Sequence, residues 1–233
     1  MSELLETASG TFHIERQFTE GKNGTTYLLK ETSDSGKPLV CKVVNLYFGK
    51  LETRNLAKIY GKPHMVKYIK ELTGPLHGQW YIFMEYAGPS LYNVRPDSAT
   101  RVDIMVQLVD AIKTLLSLNL MAEDIARQNL CYDDAGYLTL IDFGECVPFD
   151  DSEMAAMTSQ YFSHNLYIVW RSLGGSGPDI REFGNIKRED QLGFTLTMAL
   201  ARLDAMRAAL RPSEVAAPAV PKRVKTGTIQ FWP

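Results

Sequence analysis

Short β-prone runs separated by turn residues fill residues 11–48, and this alternation constrains the fold more than any other feature of the sequence. The runs cover 12–18, 25–31 and 38–46. The segments between them contain Gly, Asn, Ser and Asp, which are the residues that tight turns require. The pattern therefore predicts a three-stranded antiparallel meander.

A short helix and two further strands follow the meander. The helix is expected over 50–60, because glycine and proline come directly after it, and strands are expected over 65–72 and 80–86. Residues 11–87 are therefore predicted to form a small antiparallel sheet with one helix.

Residues 88–211 have mainly helical patterns. Thr100 is in position to cap a helix whose apolar residues recur at helical spacing, and a second amphipathic helix is indicated over 192–206. A short hairpin is expected between the two helices, with strands over 129–132 and 137–141.

The two regions together predict an α+β chain. Residues 212–233 are rich in Pro, Ala and Val, contain a short basic run and show no helical or strand period. We expect them to form a flexible or loosely docked tail.

Charge and composition exclude several classes of protein. The chain has 25 Lys and Arg against 27 Asp and Glu, a net charge of −2, so it has no overall positive field to hold a nucleic acid. Charges interrupt every apolar run before the roughly 18 residues that a membrane span requires, and residues 1–10 lack a cleavable export signal. The widely spaced Cys41, Cys131 and Cys146 are expected to be reduced thiols. We expect a soluble, cytosolic protein.

Three polar side chains near the predicted hairpin carry the strongest chemical signal. Asp142 stands in Ile-Asp-Phe-Gly at the end of a β-prone run, and Asp124 and Asn129 precede it with four residues between them. Oxygen ligands held on a fixed backbone are what a Mg2+ ion on a triphosphate needs. This spaced set resembles the catalytic-loop Asp, the Asn and the D-F-G Asp of protein kinases.

The resemblance to the protein kinase superfamily implies both a fold and a chemistry. The implied fold has two lobes, a small antiparallel β-sheet N-lobe and a reduced, mainly helical C-lobe. ATP and Mg2+ are the implied cofactors, with Asp142 and Asn129 as metal ligands. Asp124 is implied to accept or orient the proton of the attacking hydroxyl.

The likeness extends upstream to the elements that bind nucleotide. Residues 18–27 resemble a glycine-rich loop in which Thr19 replaces the first glycine, while Gly21 and Gly24 are kept. Small residues there let backbone N–H groups approach the phosphates. Lys42 matches the lysine of the V-A-I-K strand, which pairs with the α- and β-phosphates.

Two more side chains belong to this implied site. Glu52, on the predicted helix, is the candidate partner of Lys42, with Glu31 and Glu71 as alternatives. Arg127 lies in the same loop as the catalytic Asp, where protein-directed kinases often carry Lys, and is a candidate to reach the transferred phosphate.

Residues 81–88 resemble the hinge that reads adenine. The likeness makes Met84 the gatekeeper and assigns the backbone of Glu85, Tyr86 and Ala87 to the adenine ring. The side chains of the hinge are not required for that role.

The sequence also departs from the kinase pattern. Residues 122–124 are Ala-Glu-Asp where kinases carry H-R-D, so Glu123 replaces the Arg that pairs with a phosphate on the activation loop. Control by loop phosphorylation is therefore not expected. No A-P-E follows Gly144, and residues 165–175 are a candidate remnant of a later core helix.

Reduced kinases of this kind resemble the minimal kinases that pathogenic bacteria inject into host cells by type III secretion, and the HopBF effector family in particular. The resemblance implies a serine/threonine kinase that acts in the host cytoplasm on a host protein, the heat shock protein 90 chaperone. We expect a monomer with no nucleic-acid or membrane partner.

Two other functions fit the same motifs. A small-molecule phosphotransferase of the aminoglycoside or choline kinase type also tolerates changes around the catalytic Asp and lacks A-P-E, although the hinge and complete D-F-G argue against it. A pseudokinase that serves as an ATP-binding scaffold is suggested by Thr19, Ala122 and the short helical lobe. The intact metal ligands argue against that alternative.

Overall fold

The computed structural model describes residues 3–18, 24–148, 165–175 and 196–209. These residues form a mixed α+β structure, as the sequence predicts. Its strands are β1 Leu4–Thr7, β2 Gly10–Gln17, β3 Gly24–Thr32, β4 Pro38–Asn45, β5 Gly74–Leu76, β6 Gln79–Glu85, β7 Leu120–Ala122, β8 Leu130–Tyr132, β9 Leu138–Leu140 and β10 Cys146–Pro148. Its helices are α1 Leu46–Ile59, α2 Ser98–Ser117, α3 over 165–172 and α4 Leu196–Ala209.

The first six strands form one antiparallel sheet in the order β1-β2-β3-β4-β6-β5. The predicted meander, the helix after it and the strand over 80–86 are confirmed. Strand β4 is central and almost wholly buried, and it pairs with β6 from Leu39–Glu85 to Asn45–Gln79. This continuous ladder fixes the register of Lys42 against the strand that leads into residues 84–87.

The prediction of a strand over 65–72 is wrong. Met65 makes an isolated bridge to Leu140 and Tyr68 makes one to Met84, and the segment ends in a 3-10 turn, Lys70–Leu72. Because the two bridges reach different partners, the segment cannot form one continuous ladder. The edge strands β1 and β5 were not predicted from the sequence, because they contain only four and three residues.

Helix α2 begins earlier than predicted. Its N-cap is Asp97, whose Oδ1 accepts from the backbone N of Thr100 at 2.8 Å, so Thr100 lies inside the first turn and is not the cap. Asp is among the residues preferred at this position because its carboxylate satisfies an otherwise unpaired N–H. The buried face of α2 includes Met105, Leu108 and Ile112, and each such side chain contributes about 1.5–3 kcal/mol by leaving water.

The β8–β9 hairpin is the point at which the sheet and the helices meet. It pairs from Leu130–Leu140 to Tyr132–Leu138, close to the predicted bounds. The backbone N of Val66 donates to the Leu140 carbonyl at 3.1 Å, which ties the hairpin to the segment after α1. One apolar cluster runs from the sheet through the hairpin to α2, α3 and α4.

Helices α3 and α4 belong to the helical region that follows the hairpin. Residues 165–172 are helical, and their origin as a remnant of a later core helix stays a prediction. Asp103 of α2 forms an ion pair with Arg207 of α4 at 3.0 Å. Within the described ranges, no helix is both long enough and apolar enough to span a membrane. The predicted tail over 212–233 lies outside the described residues.

Candidate active site

Lys42 lies at the centre of a cluster of charged side chains. Its Nζ donates to both carboxylate oxygens of Glu52, at 3.0 and 2.8 Å, and to Oδ1 of Asp142 at 2.7 Å. The Lys42 and Glu52 side chains are only 11% and 2% exposed, whereas Asp142 is 43% exposed. Lys42 and Glu52 are therefore shielded from water, whereas the Asp142 carboxylate is open to solvent.

The direct passage from β4 into α1 explains why Glu52 reaches Lys42 across only ten residues. Asn45 ends the strand and caps the helix, since its side chain accepts from the Phe48 backbone N at 3.0 Å. The other candidate carboxylates lie elsewhere: Glu31 accepts from the backbone N of His13, and Glu71 lies in the 3-10 turn.

Burial and charge act in opposite directions on this pair. Burial alone would lower the pKa of Lys42, but the Glu52 and Asp142 carboxylates outweigh burial and hold that pKa above its ordinary value. Burial raises the pKa of Glu52, and the Lys42 ammonium opposes this only in part. Lys42 is therefore a fixed cation at neutral pH.

Asp142 has a backbone conformation that few residues adopt. Its φ of 61° is in the left-handed region, where Asp and Asn are tolerated better than most residues. The backbone N of Gly144 donates to Oδ1 of Asp142 at 3.3 Å, and the Phe143 side chain is fully buried. Oδ2 of Asp142 has no hydrogen-bond partner among the described residues.

Asp124 and Asn129 form a second pair. The amide nitrogen of Asn129 donates to Oδ2 of Asp124 at 2.8 Å and to the Asp124 carbonyl at 3.1 Å. Asn129 is buried while Asp124 is exposed. The Ile141 backbone N donates to the Asn129 carbonyl at 2.9 Å, so the residue before Asp142 is bonded directly to Asn129.

The oxygen atoms left at this site suit a magnesium ion. The Asn129 side chain uses its nitrogen on Asp124, which leaves its amide oxygen without a donor in the described part of the chain, and Asp142 keeps Oδ2. No group of three or more His, Cys, Asp or Glu side chains that could hold a metal occurs among the described residues. Mg2+ does not need one, because it is commonly bound by one or two protein oxygens together with phosphates and water.

Glu85, the last residue of β6, has a side chain that is already engaged by protein donors. Oε1 of Glu85 accepts from Lys67 Nζ at 2.6 Å and from the hydroxyls of Ser33 and Ser35 at 2.8 and 2.7 Å. Burial alone would raise the pKa of Glu85, but these hydrogen bonds outweigh it and hold the pKa below its ordinary value. Oε1 of Glu85 is therefore already occupied by protein donors.

The other predicted hinge residues lie on either side of Glu85 in the chain. Met84 is 6% exposed and pairs with Val40. Tyr86 is anchored by its backbone N, which donates to the Pro38 carbonyl at 2.8 Å, and Ala87 follows it outside any regular element. These placements are compatible with an adenine-reading backbone, which stays a prediction.

The structure gives Gly24 a packing reason to be glycine. A Cβ at this position would clash with the carbonyl of Val43 on the neighbouring strand. This requirement holds whether or not phosphate approaches the loop. Gly21, the other glycine of the predicted loop, lies outside the described residues.

The guanidinium of Arg127 contacts protein groups. Nη1 donates to the Ser172 carbonyl at 2.7 Å, and the group lies 5.3 Å from the centre of the Tyr92 ring. The predicted role of Arg127 at the transferred phosphate therefore stays a prediction.

Sequence reasoning missed Asn55, which lies one turn after Glu52 on α1. Its side-chain amide donates to the carbonyls of Phe143 and Cys146, both at 2.9 Å, and the residue is fully buried. Its helical spacing with Glu52 and with the apolar Leu56 and Ile59 was the available signal. A polar residue on a buried helix face requires a partner.

Comparison with known proteins adds no assignment. No protein-family model matches the chain, and a search of curated proteins returns no significant match. The functional interpretation of the site therefore depends on its residues and their geometry.

Proposed function

We propose that this chain is a minimal ATP- and Mg2+-dependent serine/threonine protein kinase. The observation that carries the proposal is the buried contact of Lys42 with Glu52 and Asp142, beside a hairpin that holds the Asp124–Asn129 pair. Four of these residues also match the spaced kinase set in the sequence. If the contact of Lys42 with Glu52 were only a structural ion pair, the fold would not require the Asp124–Asn129 pair.

Each residue has a task that its environment supports. Lys42, held cationic by two carboxylates, would pair with the α- and β-phosphates of ATP. Asp142 and Asn129 would hold Mg2+, which neutralises phosphate charge when bound. Asp124 is exposed and oriented by Asn129, so it is placed to accept the proton of a hydroxyl that approaches from solvent.

We further propose that the recipient is a host protein and that activity does not need loop phosphorylation. The absence of the H-R-D Arg, replaced by Glu123, supports independence from a loop phosphate. The motif likeness to type III secreted kinases of the HopBF family makes the heat shock protein 90 chaperone the first substrate to test.

The test is transfer of labelled γ-phosphate from Mg-ATP to purified heat shock protein 90 and to host-cell lysate. The wild-type chain is compared with Asp142→Ala and with the matched control Asp134→Ala, an exposed hairpin-turn position. Labelling that Asp142→Ala abolishes and Asp134→Ala keeps is the expected result. Labelling of other proteins alone would support a kinase and overturn the chaperone assignment.

Two outcomes would replace the proposal. ATP consumption only in the presence of small hydroxyl or amino compounds would indicate a small-molecule phosphotransferase. Saturable binding of ATP without transfer to any acceptor would indicate a pseudokinase.

A further inference from the structure

A cavity lined by four arginines lies at the junction of the catalytic loop, the start of α2 and the end of α3. Its volume is about 570 Å³, and the arginines are Arg95, Arg101, Arg127 and Arg171. They come from three separate parts of the chain, so only the folded structure brings them together. Cavities of about 300–1,000 Å³ are the usual size for small-molecule sites.

Two of the arginines are held in position by the protein itself. Arg101 donates from Nε to the Leu173 carbonyl at 3.2 Å and from Nη2 to the Pro96 carbonyl at 3.1 Å. Its guanidinium also lies 5.4 Å from the centre of the Trp170 ring. Arg127 is fixed by its bond to Ser172, and the remaining N–H groups of both side chains are left for another acceptor.

Among the described residues, no negative charge balances the arginines of this cavity. No carboxylate lines it among the described residues, and none of the four arginines has an ion-pair partner within those residues. The whole chain has a net charge of −2, so this concentration of cations is local. Like charges around one cavity repel, and a bound anion would relieve that cost.

We propose that this cavity binds a compact small molecule that carries two or more phosphate groups. Guanidinium groups bind phosphate through paired N–H donors, which makes arginine the preferred residue for this ligand. Arginines that approach from three chain segments match phosphates that point in several directions. A phosphopeptide would bring a single phosphate and would need a groove for its flanking residues.

The site is distinct from the proposed ATP site. Lys42, Glu52, Asn129 and Asp142 do not line the cavity. Arg127 connects the two regions, because it lies in the same loop as Asp124. A ligand here would link that loop to α3 and to the start of α2.

The experiment measures binding by calorimetry without ATP, so it does not depend on phosphotransfer. The probes are inositol hexakisphosphate and tripolyphosphate, with myo-inositol and a phosphoserine peptide as comparisons. Arg95→Gln/Arg171→Gln is the test variant, since both side chains are exposed and their loss leaves the core intact. Arg54→Gln on α1 is the matched control. The combination Lys42→Met/Glu52→Gln removes the Lys42 cation without leaving the Glu52 carboxylate unpaired, and it shows whether the probes occupy the ATP site instead.

The expected result is that both polyphosphates bind the wild type, Arg54→Gln and Lys42→Met/Glu52→Gln. They should bind Arg95→Gln/Arg171→Gln at least about tenfold more weakly, which is about 1.4 kcal/mol. Affinity should also fall as salt rises. A further probe is vesicles that contain a bisphosphorylated phosphoinositide. Preferential binding to these vesicles, lost in Arg95→Gln/Arg171→Gln, would identify a lipid headgroup as the source of the phosphates. Equal binding by Arg95→Gln/Arg171→Gln, loss of binding in Lys42→Met/Glu52→Gln, binding of the phosphoserine peptide alone, or no binding would overturn the proposal.

Discussion

Asn55 donates its side-chain amide to the carbonyl of Phe143 at 2.9 Å, and through the same nitrogen to that of Cys146. The bond joins the buried face of α1 to the turn that follows Asp142. Since Glu52 is on the same face of the helix, α1 holds both Lys42 and the backbone beyond Asp142.

The first prediction concerns this link. Replacing Asn55 with Ala removes the side-chain donor from the carbonyls of Phe143 and Cys146. The Phe143 carbonyl keeps a hydrogen bond from the Cys146 backbone N at 3.2 Å, whereas a buried carbonyl that loses its donor costs about 1–3 kcal/mol. We expect Asn55→Ala to lower the free energy of unfolding in urea by about 1–3 kcal/mol. Lys58→Ala, an exposed position on the same helix, should change it by less than about 0.5 kcal/mol. Equal effects of the two substitutions would show that the link does not stabilise the fold.

The second prediction separates stability from activity at Lys42. Lys42→Met leaves the buried Glu52 carboxylate without its partner, which costs about 3–5 kcal/mol of folding free energy. Adding Glu52→Gln removes the buried charge and should restore most of that stability. Both variants should lack phosphotransfer. Urea unfolding and a phosphotransfer assay on each variant would test this, and a double variant no more stable than Lys42→Met would contradict it.

The stability of Lys42→Met should depend on pH. Burial raises the pKa of Glu52 above its ordinary value of 4.5, so the folded state keeps a proton that the unfolded state loses. In Lys42→Met, the ammonium group that partly opposes this rise in the pKa of Glu52 is absent. The destabilisation of Lys42→Met should therefore be smallest below pH 4.5 and grow as pH rises. A pH-independent loss of stability would contradict this expectation.

Glu85 should give the opposite pH dependence, because it stabilises the fold more as pH rises. Hydrogen bonds from Lys67, Ser35 and Ser33 hold its pKa below 4.5, so the unfolded state binds more protons in the pH range just below that value. Its contribution to stability is present above pH 4.5 and is lost as pH falls through the folded-state pKa.

Urea unfolding at pH 6 and pH 4 tests this contribution. Glu85→Gln should lose less stability between the two pH values than the wild type, whereas Glu15→Gln, at an exposed position, should behave like the wild type. Identical pH dependence in all three proteins would exclude the role given to Glu85.

The cysteines should be unreactive in the folded protein. All three are buried free thiols, and burial raises the pKa of Cys131 and of Cys146 to about 12 and that of Cys41 higher still. Because the thiolate is the reactive form, a disulfide reagent such as DTNB should label none of them until the chain unfolds. Rapid labelling of one thiol without urea would show local opening at that position.

Much of the fold was accessible from local sequence pattern. The central strands, α1, α2 and the short hairpin follow from turn residues and apolar spacing, which act over a few neighbouring residues. The errors occurred where distant partners decide the structure. Residues 65–72 look like a strand but divide their bridges between Leu140 and Met84, and β1 and β5 are too short to show a period.

The candidate site divides in the same way. The sequence by itself determined the identity and order of Lys42, Asp124, Asn129 and Asp142, because motif spacing is a property of the chain. Only the tertiary structure decided that Glu52 is the carboxylate against Lys42, that its Nζ also reaches Asp142 across 100 residues, and that four arginines share one cavity. Such contacts depend on the packing of distant segments, and no local period or spacing in the sequence encodes which side chains that packing brings together.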